Sequence, residues 1–213
     1  MAKETLKIGE VSKPRFEFRT FGRDFEEAAW RMSRLSVPVP EKVWERSSLE
    51  TYIVSKTNNI NNTKIRDGKM DIKTFVQEVD GLEQWNPLMK GEFPMKAEKL
   101  EKEVFPAFQV EMPKLEKEEY SLEEFLGIVK NHPDLLAVSV EKERYGYMVN
   151  DTICEYAMVY INGALVETIN SESTEVEDIK KTVALLGLKD VENINYLQAI
   201  KRVTGMIDKK LAN

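Results

Sequence analysis

Pro14-Arg15-Phe16-Glu17-Phe18-Arg19-Thr20-Phe21 alternates between charged and aromatic side chains from Arg15 to Arg19. Side chains repeat every two residues along a strand, so Phe16 and Phe18 share one face and Arg15, Glu17 and Arg19 the other. Such a strand has one side to bury and one to keep wet, the pattern of an antiparallel sheet. Outward from it, Leu49–Ser55, Thr63–Arg66 and Met70 to about Val79 read as further strands, as do Leu135–Met148, Thr152–Ile161 and Ala164–Ser171. Asp67-Gly68 and Asn162-Gly163 are two-residue hairpin signals, because both positions of a type I′ turn need positive φ. The strands therefore form two groups of antiparallel hairpins.

Helices flank each group. Asp24 with Glu27 predicts a capped start for a stripe of Phe25, Ala28, Ala29, Met32 and Leu35, ended by Val37-Pro38-Val39-Pro40. Ser121 with Glu124 predicts a second capping box before Leu122–Lys130. Two C-terminal helices are expected at Glu175–Leu186 and Ile194–Leu211, the latter with Tyr196, Ile200, Val203 and Ile207 in a stripe. Residues 83–119 carry Pro87, Pro94, Pro106 and Pro113 around a Lys/Glu-rich piece, Lys96–Glu103. They predict an irregular connection or insertion with at most one short helix, packed so that Trp85, Phe93, Phe105 and Phe108 are covered. The expected fold is α+β, with one domain over residues 13–213 after an extension at 1–12, and a sheet that is either an open layer or a closed barrel.

Composition excludes whole classes of chemistry. The 213 residues carry 31 Lys and Arg against 37 Asp and Glu, so duplex DNA and anionic membranes are poor partners unless the cations are gathered in one place. The single cysteine, Cys154, rules out intrachain disulfides and cysteine zinc clusters and fits a reducing, cytoplasmic setting. The single histidine, His132, lies in Asn131-His132-Pro133, which suits a loop or cap and leaves no Ser-His-Asp arrangement. Any metal must be held by oxygen, hence magnesium, manganese or calcium. Met1-Ala2-Lys3-Glu4-Thr5 has no apolar core and no run reaches the roughly 18 apolar residues of a membrane span, so no membrane partner is expected.

The informative charges sit on the strands. Arg15 and Arg19, Lys64 and Arg66, Lys73, and Lys142 and Arg144 occupy period-two positions, against Glu17, Glu155 and Glu167. If these faces meet, an acidic protein encloses a cationic cavity, which is costly without an anion inside it. A polyphosphate is the natural guest. The competing reading is a solvated outer face of cross-strand ion pairs.

In chain order these pieces resemble the CYTH family of triphosphate tunnel metalloenzymes, which includes class IV adenylate cyclases, thiamine triphosphatases and inorganic triphosphatases. Arg15-Phe16-Glu17-Phe18-Arg19 stands where the family has Glu-x-Glu-x-Lys, Glu50-Thr51-Tyr52-Ile53 resembles its tyrosine-bearing strand, and Lys64-Ile65-Arg66 its first Lys-x-Arg strand. Lys73 matches a lysine of the next strand, and Val140-Glu141-Lys142-Glu143-Arg144 the second Lys-x-Arg strand. Cys154-Glu155 and Asn162-Gly163-Ala164-Leu165-Val166-Glu167 resemble its acidic and final strands. The likeness spans about residues 13 to 205 and departs at Arg15, where the family has a metal-binding glutamate. It implies an eight-stranded tunnel binding a triphosphate-containing small molecule with Mg2+ or Mn2+. Arg15, Arg19, Lys64, Arg66, Lys73, Lys142 and Arg144 would contact the anion, with Arg66 and Lys142 stabilising charge during phosphoryl transfer. Glu17, Glu167 and Glu155 would serve the metal, and Glu155 would also orient water. The expected activity is hydrolysis of inorganic, nucleoside or thiamine triphosphate. The alternatives are a non-catalytic module for polyphosphate, nucleotide or an RNA 5′-triphosphate end, and, lower, an adenylate cyclase. A homodimer is kept open.

Overall fold

The computed structural model describes residues 14–212, so the extension expected at 1–12 lies outside the described residues. β1 (Phe16–Gly22) leads into α1 (Glu26–Leu35) and the short α2 (Glu41–Trp44). A meander follows: β2 (Glu45–Ser55), β3 (Asn61–Arg66), β4 (Lys69–Val79) and β5 (Leu82–Glu92). Next come β6 (Met95–Lys96), α3 (Ala97–Lys99), a π-helical turn (Leu100–Val104), α4 (Phe105–Phe108), β7 (Glu119–Tyr120) and α5 (Leu122–Asn131). The chain ends with β8 (Leu135–Val149), β9 (Thr152–Ile161), β10 (Ala164–Ser173), α6 (Val176–Leu185) and α7 (Tyr196–Val203). Eight antiparallel strands close a barrel in the order β1-β10-β9-β8-β2-β3-β4-β5. Among the described residues no helix is long and apolar enough to cross a membrane.

Three sequence expectations are corrected. Residues 83–92 are not irregular: they belong to β5, the eighth barrel strand, where Pro87 lies opposite Lys73 beside a register shift. A bulge is where a strand tolerates proline. The helix after Asp24 forms, but without its capping box; Asp24 has φ of 60° and the Phe25 N-cap makes no side-chain cap bond of its own. The last helix stops at Val203, followed by Gly205 at φ of 71°. The Ser121–Glu124 capping box forms with both bonds, and the Asp67-Gly68 and Asn162-Gly163 turns adopt positive φ throughout.

The outside of the barrel is covered in two places. Phe93, Phe105, Phe108 and Phe125 pack over β2 to β5, while α1 and α6 bury Phe25, Met32, Ile179 and Val183 against Phe18 and Ile169. His132 plays its expected loop role: Nδ1 accepts from the Asp134 N–H at 3.1 Å and Nε2 donates to the Glu111 carbonyl at 2.9 Å. The third apolar cluster is inside the barrel. Phe21, Val54, Val138, Val140, Val159 and Ile161 meet Ile194, Tyr196, Leu197 and Ile200, so α7 stoppers one end.

That stopper also closes the seam. β1 and β5 pair only at Phe16–Gln84 and Glu17–Glu83. Beyond them the Arg19 N–H donates to Asn193 Oδ1 at 2.8 Å, Ile194 N–H donates to the Arg19 carbonyl at 2.5 Å, and Asn193 Nδ2 donates to the Gly81 carbonyl at 2.8 Å. Lys201, fully buried on α7, donates to the Asn58 carbonyl at 2.6 Å and to Asn59 Oδ1 at 2.9 Å, tying the helix to the β2–β3 loop. Asn193→Ala strips an acceptor from one strand and a donor from the other. It is expected to lower unfolding free energy by about 1–2 kcal/mol, mostly from the part-buried Arg19 N–H, since the Gly81 carbonyl is exposed and can turn to water. Urea titration checks this, and a loss under about 0.5 kcal/mol would contradict the seam's role.

Candidate functional site

The inward rows of the barrel change character halfway along. On β8 they run Val138, Val140, then Lys142 and Arg144; on β1, Phe21, then Arg19, Glu17 and Arg15. The apolar half is filled by α7 and the charged half encloses a cavity of about 350 Å³ whose floor is formed by Tyr52 and Tyr196. Seven cationic side chains line it: Arg15, Arg19, Arg46, Lys64, Lys73, Lys142 and Arg144. The acids on the same wall are Glu17, Asp71, Glu155 and Glu172.

Most of the residues singled out from the sequence therefore meet. Arg66 stands at the rim, its side chain 45% exposed and 3.5 Å from Glu50. Glu167 does not join them. It faces away from the lumen, where its Oε2 accepts the Phe25 N–H at 2.7 Å and its Oε1 the Tyr156 hydroxyl at 2.7 Å. It supplies the carboxylate at the start of α1 that Asp24 was expected to provide. On β10 the lumen residues are Asn170 and Glu172, in the opposite phase from Glu167. The sequence reading also passed over Arg46, Glu50, Tyr196 and Asn195. Arg46 and Glu50 were legible in principle, being in phase with Tyr52 on a strand that begins four residues earlier than expected. Tyr196 carried no signal beyond its place in an apolar stripe.

At the boundary between the two halves sits a buried ion pair. Lys142 Nζ donates to Glu50 Oε2 at 2.7 Å and to the Tyr52 hydroxyl at 2.8 Å, and lies 3.9 Å from the Tyr196 ring centre. Arg66 and Lys64 approach the same carboxylate at 3.5 and 3.9 Å. Burial alone would raise Glu50, but Lys142 and Lys64 outweigh it and hold the carboxyl at about 2. For Lys142 burial dominates over the attraction of Glu50 and pushes the ammonium down to about 7.

Three further carboxylates are each tied to arginine. Glu17 bonds Arg19 Nε at 2.5 Å; Glu155 lies 3.0 Å from Arg46 and 3.7 Å from Arg19; Glu172 lies 3.5 Å from Arg15. Glu17 is raised by burial and lowered more by Arg19 and Lys73, so it stays ionised. Its cross-strand partner Glu172 is raised, first by burial and then by the charge of Glu17. Arg46 and Arg144 are also cross-strand partners, and each keeps a buried Nε–H with no acceptor. Among the described residues no three His, Cys, Asp or Glu side chains gather into a metal-binding group. Cys154 is buried beside Thr152, and burial pushes its thiol up to about 11.

No protein-family model matches the sequence, and neither does any curated protein. Solved structures do resemble it. A candidate adenylate cyclase from Bacillus halodurans superposes with a TM-score of 0.50 at 13% identity, over 86% of this chain and 95% of that one. A conserved hypothetical protein from Pyrococcus furiosus gives 0.49 at 15% identity, over 86% and 98%. A candidate adenylyl cyclase from Hippeastrum, with a dominant triphosphatase activity, gives 0.48 at 10% identity, over 90% and 96%. With the strand order above, the first likeness supports the fold: a closed antiparallel eight-stranded tunnel barrel. At such identity the likeness is one of fold.

The Glu50 pair gives a pH test. A carboxyl held at about 2 when folded, against an ordinary 4.5, contributes stability above that ordinary value and loses it as the pH falls towards 2. Glu50→Gln is expected to lower stability at neutral pH by about 3–5 kcal/mol, because Lys142 is left buried without its counter-charge. Urea unfolding at pH 4.5 and near pH 2, the window in which the Glu50 contribution is lost and which lies well below Lys142, should find the gap between wild type and variant narrowing at the lower pH. A gap of equal size in both would contradict the assignment.

Proposed function

We propose that this barrel is a divergent CYTH-type tunnel that binds the triphosphate group of a small molecule in its charged half and hydrolyses it with a magnesium or manganese ion. The observation that carries the reading is the Arg46–Arg144 pair. Like charges directly opposite each other on a sheet repel, and a buried N–H without an acceptor costs about 1–3 kcal/mol. Both penalties vanish when phosphate oxygens lie between the two guanidinium forks, whose geometry suits bidentate contact. Arg15, Arg19, Lys64, Lys73 and Lys142 line the same cavity, enough cations for several phosphate groups.

Magnesium bound beside phosphates keeps most of its waters and uses one or two carboxylates, so a three-acid cage is not required of the protein. Glu17 and Glu172 fit that role, since they face each other across β1 and β10 and Glu172 is raised partly by its neighbour's charge. Glu172 takes the place first given to Glu167, and Glu17 keeps its own. When bound, the ion supplies charge neutralisation on the phosphate oxygens. Arg19, Arg46, Arg144 and Lys142 hold the phosphoryl oxygens and stabilise the charge that develops on the transferring group. Glu155, oriented by Arg46 at 3.0 Å, positions the attacking water.

A second reading, binding without turnover, is favoured by one observation: Glu17, Glu155 and Glu172 are each already paired with arginine. A phosphate-release panel with tripolyphosphate, ATP and thiamine triphosphate, each with magnesium, manganese or chelator, separates the two. Release that needs the metal and falls about a hundredfold in Arg144→Ala is the expected result. Binding with no release supports the second reading, and pyrophosphate with a cyclic nucleotide from ATP would make the protein a cyclase. Absence of binding to any of the three would overturn the tunnel's role altogether.

A further inference from the structure

The helices and the β6–β7 insertion leave one band of the barrel's outer surface bare. On β8, Lys142 and Arg144 line the lumen, so strand alternation turns Ser139, Glu141 and Glu143 outward, and all three are exposed. Register carries this band across four strands. Leu49 on β2 lies opposite Glu141, Glu141 opposite Tyr160 on β9, and Tyr160 opposite Leu165 on β10. Leu49 and Leu165 are 63% and 45% exposed, and among the described residues neither they nor Tyr160 and Met158 join any of the three apolar clusters. The band is bordered by aromatic rings packed on one another: Trp44 meets Tyr145 edge-to-face at 6.0 Å, and Tyr145 stacks on Tyr156 at 6.4 Å. Contiguous apolar side chains framed by charge on a sheet face mark an interaction surface.

The charges on this face have one sign. Glu45, Glu141 and Glu143 are exposed, and Glu41, Glu45 and Glu143 line a cleft of about 390 Å³ beside Trp44. Among the described residues none of these four carboxylates pairs with a lysine or arginine, and Arg46, which lines the same cleft, is turned to Glu155. Surface carboxylates elsewhere are paired, as in Glu27–Arg31, Glu98–Lys102, Glu124–Lys117 and Glu192–Arg202. Two copies meeting through this face would set acid against acid, and an anionic membrane would be repelled in the same way. A closed barrel also offers no edge to which a partner could add a strand. What complements the face is a separate protein surface that is apolar and basic.

We infer that the outer face of β2, β8, β9 and β10 docks a partner protein through a basic amphipathic helix. Neighbouring strands lie about 4.8 Å apart and a helix rises about 5.4 Å per turn, so a helix laid across the strands sets one side chain per turn over Leu49, Glu141, Tyr160 and Leu165. The complementary pattern is apolar, basic, apolar, apolar at i, i+4, i+7 and i+11, with further lysine or arginine over Glu143 and Glu45. Lysine and arginine suit both components of the face, since their stems cover apolar surface while their charged heads reach the carboxylates. The face lies outside the lumen, so the inference stands independently of what the lumen binds.

Fluorescence anisotropy with two labelled helical peptides of about five turns tests this: one carries leucine and lysine at that spacing, and its twin has glutamate for every lysine. The lysine peptide should bind the wild type and the glutamate peptide should not. Glu141→Lys with Glu143→Lys, and separately Leu49→Ser with Leu165→Ser, should each weaken the lysine peptide about tenfold or more, the scale of one lost leucine contact or close charge pair. Glu101→Lys with Glu103→Lys makes the same change of net charge on the exposed π-helical turn over β2 to β5 and should leave binding unchanged. All four positions of the first two variants are exposed, and a wild-type urea midpoint for each separates lost binding from lost fold. Equal losses from the two charge reversals, no loss from the leucine pair, or equal binding of both peptides would overturn the inference. So would a lysine peptide that does not bind, or sedimentation showing wild-type dimers that Leu49→Ser with Leu165→Ser dissociates, which would assign the face to a second copy of the chain.

Discussion

The Glu50–Lys142 pair marks the plane at which the interior of this barrel stops being a core and becomes a cavity. Below it the inward rows are Val54, Val140, Val159 and Ile161, and α7 fills the space as a stopper. Above it the same rows carry Arg46, Arg144 and Glu155. A lysine 4% exposed and a carboxylate fully buried are tolerable only together, with the Tyr52 hydroxyl and the Tyr196 ring completing the ammonium's surroundings. Removing either charge leaves the other stranded, which is why the strongest stability effect is expected there.

The remaining charges follow from the same economy. A net acidic chain concentrates cations in its lumen, so the positive field is focused inside the barrel. In the absence of an anion the lumen is kept tolerable by Glu17, Glu155 and Glu172, each against an arginine. Arg46, although paired with Glu155, and its cross-strand partner Arg144 each keep a buried Nε–H left over.

Much of this was legible in the sequence because the signals were local. Period-two charge on β1, β3 and β8 placed Arg19, Lys64, Lys142 and Arg144 on one face, and the Asp-Gly and Asn-Gly turns fixed which strands pair. What failed depended on contacts distant in the chain. Pro87 argued against a strand, and only the register shift opposite it on β4 makes room for the ring. Glu167 looked like a lumen acid because it follows a hairpin turn, yet its phase on β10 turns it outward to the start of α1, and Glu172 lies one residue beyond the expected end of that strand at Ser171. Tyr196 reads as one more apolar helix residue, and nothing local reveals that its helix enters a barrel. The eighth strand and the floor of the cavity were the parts that sequence pattern could not supply.

The central claim is that the charged half of the barrel is an anion site whose unmet cations are relieved by ligand. Thermal and urea unfolding at low salt with phosphate, pyrophosphate and tripolyphosphate tests it most directly. A ligand bound only by the folded state raises stability by about 2.7 kcal/mol at a hundredfold excess over its dissociation constant. The account predicts stabilisation that rises steeply from phosphate to tripolyphosphate, because relief of lumen repulsion grows with ligand charge and oxygen count. Equal and negligible shifts for all three would contradict it.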